Sequence, residues 1–221
     1  TREQQDAFAV VSAQRALAAT ASGAFATEIA PVTVKGRGGD TVISTDEAPG
    51  KVRLDKIATL KPAFKKDGTI TAASSSSISD GAAALVLMRA STAAAQGLKP
   101  LARIVSHAMH AQAPNWFSTA PIGAVNKVLA RAGWAVNDVD LWEVNEAFAV
   151  VPMALMHDLG VGHDSVNVNG GACALGHPVG ASGARIMLTL IHALQARGLR
   201  KGVATLCIGG GEATAVALEM I

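Results

Sequence analysis

The sequence predicts an α/β domain, and two observations carry that prediction. Segments of strand character alternate with segments of helical periodicity. Three polar or reactive side chains, Asn145, His177 and Cys207, fall at or beside predicted strand ends, where ligands bind in open α/β sheets. Half of the 221 residues are apolar, enough for one large core or two small ones.

The elements follow in order. Thr1 and Gln4 form a capping-box pattern, and Ala7, Phe8, Val10, Val11, Leu17 and Ala18 approximate a helical face that stops at Gly23. Residues 31–50 are rich in Gly, Thr and Asp. They read as an exposed, irregular excursion in which Val32, Val34, Val42 and Ile43 mark short strands. Four consecutive serines, 74–77, lie between Thr71 and the apolar run 82–88, a placement that predicts a tight structural loop. Residues 84–88 have the length and apolarity of a strand buried on both faces. Residues 101–106 and 139–144 are further strand candidates.

Pro121 and Gly133 bracket a helix over residues 122–132. Asn145 is placed to cap a second helix running to Leu159, kinked at Pro152 and stopped by Gly160. Ser182 is placed to cap a third that ends at Arg197 before Gly198. Residues 203–208 and 214–220 close the chain as two strands around a glycine turn.

Composition excludes several classes. With 19 Lys and Arg against 17 Asp and Glu, the formal charge of +2 offers no basic tract for nucleic acid. No apolar run approaches the roughly 18 to 20 residues of a membrane span, and the opening TREQQDAF is too polar for a secretory signal. Cys173 and Cys207, the two cysteines, do not make a disulfide framework, so reduced thiols and a cytoplasmic location are expected. The first residue is Thr1 rather than Met, from which processing or truncation is expected.

Residues 167–183, NVNGGACALGHPVGASG, surround one histidine with glycines between a strand and a helix. So many glycines let backbone approach a ligand closely. A P-loop is excluded because no Lys-Ser/Thr pair follows, and the dinucleotide fingerprint has different spacing. A cysteine ending a buried strand is ordinarily an inert hydrophobe. The three glycines after Cys207-Ile208 change that reading, because Gly209, Gly210 and Gly211 free N–H groups to meet an oxyanion. A thiol there exchanges protons near neutral pH if neighbours lower its pKa. Asn145-Glu146-Ala147-Phe148 reads in isolation as a helix cap. His107 and His110 are surface histidines, and no metal site is expected without HExxH, CxxC or clustered carboxylates.

Together, NEAF at 145–148, residues 167–185 and CIGGG at 207–211 resemble the thiolase family, closest to its acetyl-CoA acetyltransferase branch. Weaker echoes are TREQQDAFA at the start, TLKPAF at 59–64, SSSISDGAAA at 75–84 and RAGW at 131–134. The resemblance implies a thiolase fold, a five-layered α-β-α-β-α arrangement, of which this chain would hold the C-terminal half plus part of the loop domain. Residues 1–78 would belong to the loop domain, 79–98 would supply the last strand region of the N-terminal domain, and 99–221 would form the C-terminal domain.

The same resemblance implies reversible Claisen condensation of acyl-CoA, with coenzyme A thioesters as substrates and no separate cofactor. His177 would activate a nucleophilic cysteine, and Cys207 would move the α-proton. Asn145 would hold a water in one oxyanion hole, and the Gly209 N–H would serve the other. Ser76, Phe64 and Phe148 match substrate-binding positions. Cys173 falls at an ordinarily aliphatic position, so the nucleophile is expected in a missing N-terminal half, without which the chain would be inactive. Homo-oligomerisation of the complete enzyme, fatty acid metabolism and poor solubility of an isolated half are further expectations. A non-catalytic CoA-binding module of the same fold is the alternative. A decarboxylating condensing enzyme is disfavoured by the cysteine at position 207.

Overall fold

The computed structural model describes residues 1–221. Its helices are α1 (Arg2–Ser22), α2 (Ala48–Lys51), α3 (Ala90–Ala95), α4 (Ala120–Ala132), α5 (Val150–Leu159), α6 (Ala172–Leu175) and α7 (Ser182–Arg197). Its strands are β1 (Val32–Val34), β2 (Thr41–Ile43), β3 (Ala102–Ala111), β4 (Leu141–Val144), β5 (Lys201–Ile208) and β6 (Glu212–Met220). No helix is long and apolar enough to cross a membrane.

A four-stranded mixed sheet in the order β3-β6-β5-β4 organises the second half of the chain. β3, β6 and β5 run antiparallel in turn, and β4 lies parallel to β5. Alternation along β5 sends Val203 and Cys207 to one face and Ala204 to the other. α4 covers the first face, where Trp142, Val144, Leu155 and Ala215 join the larger core cluster. α7 covers the second, packing Ile186, Leu190 and Leu194 on Leu141 and Leu218. A register shift between Ile104 and Ser106 exchanges the faces of β3, so that Ala102 packs on the α7 side and Ala108 on the α4 side.

Local signals behaved as the sequence predicts at most helix ends. The capping box at Thr1 and Gln4 is formed, and Gly23, Gly133, Gly160 and Gly198 stop α1, α4, α5 and α7 in the left-handed conformation. β1 and β2 pair as an exposed antiparallel ribbon within the irregular excursion. The serine loop is structural. Ser74 is fully buried, its hydroxyl accepting from Thr71 N at 2.9 Å, and its carbonyl accepts from Ala149 N at 2.9 Å.

Four expectations are corrected. Residues 84–88 do not form the buried strand expected in the 79–98 region, and Val86 and Leu87 are 86% and 67% exposed. Apolarity marks a preference for burial, but a strand also needs a partner ladder, and no strand of this chain pairs with the run. Asn145 caps no helix. Its N–H donates to Thr205 O at 2.9 Å, prolonging the β4–β5 ladder, and α5 begins only at Val150. Pro152 consequently sits in the first turn, where its missing N–H costs nothing and causes no kink. Ser182 is the first residue of α7 rather than its cap, because its hydroxyl is engaged elsewhere.

Candidate active site

The site lies at the carboxyl ends of the parallel pair β4 and β5. Asn145 leaves β4 beside Thr205, and Cys207 follows two residues further along β5. Backbone bonds draw the other segments to this end. The serine loop runs between the two motifs, bonded on one side through Ser76 N to Ala147 O at 3.1 Å and on the other through His177 N to Ser77 O at 2.9 Å. Ser75 and Ile78 form isolated bridges to Phe148 and His177. Ser76, Phe148 and His177 are thereby collected around one loop.

His177 is held at both ring nitrogens. Asn145 Nδ2 lies 3.4 Å from Nε2, and the Ser182 hydroxyl lies 2.6 Å from Nδ1. Ser182 Oγ also donates to Pro178 O at 3.2 Å. A hydroxyl has one proton to give, so once it goes to Pro178 the hydrogen on this edge of the ring belongs to Nδ1. Nε2 is then the basic nitrogen, facing the Asn145 amide. Partial burial, followed by the positive charge of Arg185, holds the imidazole below its ordinary pKa. The ring is therefore neutral at pH 7.

Asn145 is 1% exposed and its Oδ1 has no partner within the chain. Gly209, beyond Cys207, is exposed and its N–H donates to no acceptor in the chain. These are an acceptor and a donor free to meet a ligand.

Cys207 departs from expectation. It is buried against the core on the α4 side, and that burial pushes its thiol up to about 11, only partly opposed by a backbone hydrogen bond. The condition for a lowered pKa is not met, because no cation acts on the sulfur. At rest it is a protonated thiol. Cys173 is also raised, well above its ordinary value, by burial and by Glu146. Both cysteines are free.

An aromatic strip forms around Phe148, which bridges to Ser75 of the serine loop. Phe64 meets Phe148 edge-on at 5.9 Å between centroids, and Phe117 meets it from the other side at 6.0 Å. Sequence reasoning found Phe64 and Phe148 but missed Phe117, which follows Pro114 in a short turn after β3. Ser76 Oγ donates to Ala147 O at 3.1 Å in the same neighbourhood. His107 and His110 take no part. Three residues apart on β3, they project to opposite faces, and His110 Nε2 pairs with Gln112 Oε1 at 3.2 Å.

A neutral, tautomer-defined histidine beside a buried asparagine and a protonated thiol at the sheet's carboxyl end defines a centre suited to moving protons next to a carbonyl. The chain belongs to the thiolase family. Residues 98–220 match the model for the thiolase C-terminal domain and residues 1–91 match the model for the thiolase N-terminal domain. The expectation of a chain lacking the N-terminal part is corrected accordingly, since sequence of both domains is present.

The acetyl-CoA acetyltransferase of Chromobacterium violaceum is 51% identical over 220 residues, covering 99% of this chain and 56% of that protein. A probable acetyl-CoA acetyltransferase of Dictyostelium discoideum is 53% identical over 222 residues, covering 100% of this chain and 54% of that protein. The chain thus spans about half the length of the curated relatives it matches. Among solved structures, the Bacillus anthracis acetyl-CoA acetyltransferase superposes with a TM-score of 0.97 at 45% identity, and human mitochondrial 3-ketoacyl-CoA thiolase with 0.92 at 37%. Each covers all of this chain and 56% of the solved one.

Proposed function

We propose that the chain supplies the proton-transfer and oxyanion side of a reversible acyl-CoA Claisen condensation, as an acetyl-CoA C-acetyltransferase or 3-ketoacyl-CoA thiolase. The observation that carries this is the 3.4 Å approach of Asn145 Nδ2 to the basic Nε2 of His177, at the sheet end that also bears Cys207. Acetyl-CoA and CoA are the reactants. In the cleavage direction a cysteine thiolate adds to the 3-oxo carbonyl and the C2–C3 bond breaks. Its electron pair passes to C2 as the acetyl-CoA enolate, and Cys207 gives that carbon its proton.

The raised thiol pKa suits this role. A thiol near 11 is fully protonated before the step, and its thiolate is a stronger base for the reverse α-proton abstraction than an ordinary one. Asn145 Oδ1 would hold a water that, with His177, meets one oxyanion, and Gly209 N–H would meet the other. His177 Nε2 would accept the nucleophile's proton. Neither Cys207 nor Cys173 is that nucleophile. Cys207 has the proton to carry, and Cys173 is partly buried against Glu146, with its thiolate disfavoured.

Ser76 with the strip of Phe64 and Phe148 would bind the pantetheine and acyl portions. Residues 1–78 would act as loop domain, 79–98 as the end of the N-terminal domain and 99–221 as the C-terminal domain. A homo-oligomeric, cytoplasmic enzyme of fatty acid metabolism is the setting we infer. A CoA-binding module without turnover would use the aromatic strip alone and gives the fixed histidine tautomer no purpose.

The test is acetoacetyl-CoA thiolysis, followed by loss of the enolate absorbance. The chain is assayed alone and with a polypeptide carrying the cysteine-bearing part of a relative's N-terminal domain. Activity is expected only in the mixture and is expected to vanish with Cys207→Ser. A mixture without activity, or one indifferent to Cys207→Ser, would overturn the reading.

A further inference from the structure

Glu146 has no part in the chemistry above, yet it is 1% exposed and its carboxylate accepts three hydrogen bonds from distant segments. Its Oε2 accepts from the Ser12 hydroxyl at 2.7 Å and from Cys173 N at 3.0 Å, and its Oε1 accepts from Asn167 Nδ2 at 2.8 Å. Each donor belongs to a different segment. Ser12 lies on α1, Asn167 lies in the loop after α5, and Cys173 is in α6, four residues before His177.

The network closes on itself. Ser12 Oγ, having given its proton to Glu146, accepts from Gly171 N at 3.1 Å. Asn167, the one non-glycine residue at positive φ, uses its Oδ1 to accept from Val144 N and its Nδ2 to donate to Val144 O, both at 2.8 Å. Val144 is the residue immediately before Asn145. The double glycine completes the fit. A side chain at Gly171 would strike the Glu146 carboxylate, and one at Gly170 would strike the backbone of α1 at Ser12 and Ala16.

We propose that Glu146 is the positioning residue of this site: by gathering Ser12, Asn167 and Cys173 on one carboxylate, it sets the separation of Asn145 from His177 and couples that separation to the seat of α1. Asn145 is fixed from below by the β4–β5 ladder and His177 from its far side by Ser182. The segment joining them through space, from Asn167 to Cys173, has α1 and Glu146 as its support. α1 is itself anchored to the same region. Phe8 stacks on His163 at 4.6 Å, and Arg15 Nη1 donates to His163 O at 3.0 Å and Val166 O at 2.8 Å. A carboxylate is required because all three groups are donors. A glutamine would turn an N–H₂ toward at least one of them.

The inference takes Asn145 and His177 as the working pair, and so rests on the proposed function. Its test is therefore made first on this chain by NMR, without any assay of turnover. Glu146→Gln is expected to weaken the cross-relaxation between the Asn145 side-chain amide and the His177 ring by about twofold or more, as a displacement of about half an ångström would. The Ser182-bound Nδ1 signal should stay in place. If Glu146→Gln does not fold, Ser12→Ala decides the matter from α1. It should accelerate hydrogen exchange at Gly171 N–H about tenfold and weaken the same cross-relaxation. A folded variant with lowered thermal stability but unchanged Asn145–His177 cross-relaxation would overturn the proposal, because a purely structural role predicts that result. In the reconstituted enzyme, Ser12→Ala should lower kcat by about tenfold with KM for the acyl-CoA nearly unchanged. A change in KM alone would also count against it. Absence of turnover in every reconstitution would fall on the proposed function and leave the NMR result standing.

Discussion

His177 and Ser182 are joined by a 2.6 Å hydrogen bond across the first turn of α7, and the direction of that bond decides which nitrogen of the ring is basic. Because Ser182 Oγ donates to Pro178 O, it receives from Nδ1, and the lone pair is left on Nε2 beside Asn145. The serine that the sequence offers as a helix cap is thus an orienting group for the histidine. Ala181 takes the cap position of α7 and offers it no side-chain hydrogen bond.

Ser182→Ala removes the acceptor that selects this tautomer. The Nδ1–H form should lose its dominance in the ¹⁵N spectrum of His177, and turnover of a reconstituted enzyme should fall about tenfold, a part of what a general base contributes. Stability should drop by about 1 kcal/mol for the lost buried bonds. An unchanged ¹⁵N pattern would show that another contact fixes the ring.

Cys207 supplies a second prediction through its thiol, raised from 9.0 to about 11. Two pKa units mean about a hundredfold less thiolate at pH 8, so iodoacetamide should alkylate Cys207 about a hundredfold more slowly in the folded chain than in urea. Cys173, shifted in the same direction, should also be slowed by folding. The linkage has a definite sign. A folded-state pKa above the unfolded one gives stability that is complete below about pH 9 and is lost as pH rises towards about 11. Cys207→Ala should flatten that decline in urea-unfolding series. Rapid alkylation at pH 8 would contradict the burial that drives the shift.

What the sequence made legible follows from where each signal resides. The stop at Gly133 and the capping box at Thr1 are decided within one turn of helix, and they are read correctly from neighbours in the chain. The motifs around His177 and after Cys207 were also found, because their glycines are local marks of close backbone approach. Asn145 was misread as a cap because the acceptor for its N–H, Thr205, is sixty residues away on β5. Residues 84–88 were misread for the converse reason: their composition is that of a strand, and strand pairing is a property of the partner. The pKa of Cys207 depends on core packing across two layers, and Phe117 reaches Phe148 only through the turn after β3. Nothing in the linear pattern encodes either.

Glu143 gives a third prediction. It projects from β4 on the α7 side, fully buried, with Arg185 Nη1 at 3.8 Å from its Oε2. Burial raises it from 4.5 to about 8, and Arg185 opposes this only in part, because the ion pair is long and Oε1 has no partner. Its contribution to stability is therefore complete below about pH 4.5 and is lost progressively as pH rises to about 8. Glu143→Gln keeps the shape and removes the charge. The variant should gain on the parent by at least about 1 kcal/mol when urea unfolding at pH 8 is compared with pH 5. Parallel pH dependences for the two would show that Glu143 stays ionised throughout.

The last prediction concerns the segment that failed to become a strand. Ile78, Val86, Leu87 and Met88 are all exposed, Ile78 almost completely, within eleven residues of chain. Clustered apolar surface of this kind, with backbone groups left free of any ladder, favours pairing between copies. Light scattering of the purified chain should therefore give a mass that grows with concentration. Val86→Glu with Leu87→Lys should restore a monomeric mass, because the charges oppose pairing and neither side chain is part of a core cluster. Surface changes of this sort move stability by less than about 0.5 kcal/mol, so the unfolding midpoint should shift by no more than about 2 °C. A sharp monomeric peak for the parent chain would remove the basis of this prediction, whereas persistence of association in the double variant would move the sticky surface to the exposed ribbon of β1 and β2, where Val32 and Val42 are also open to solvent.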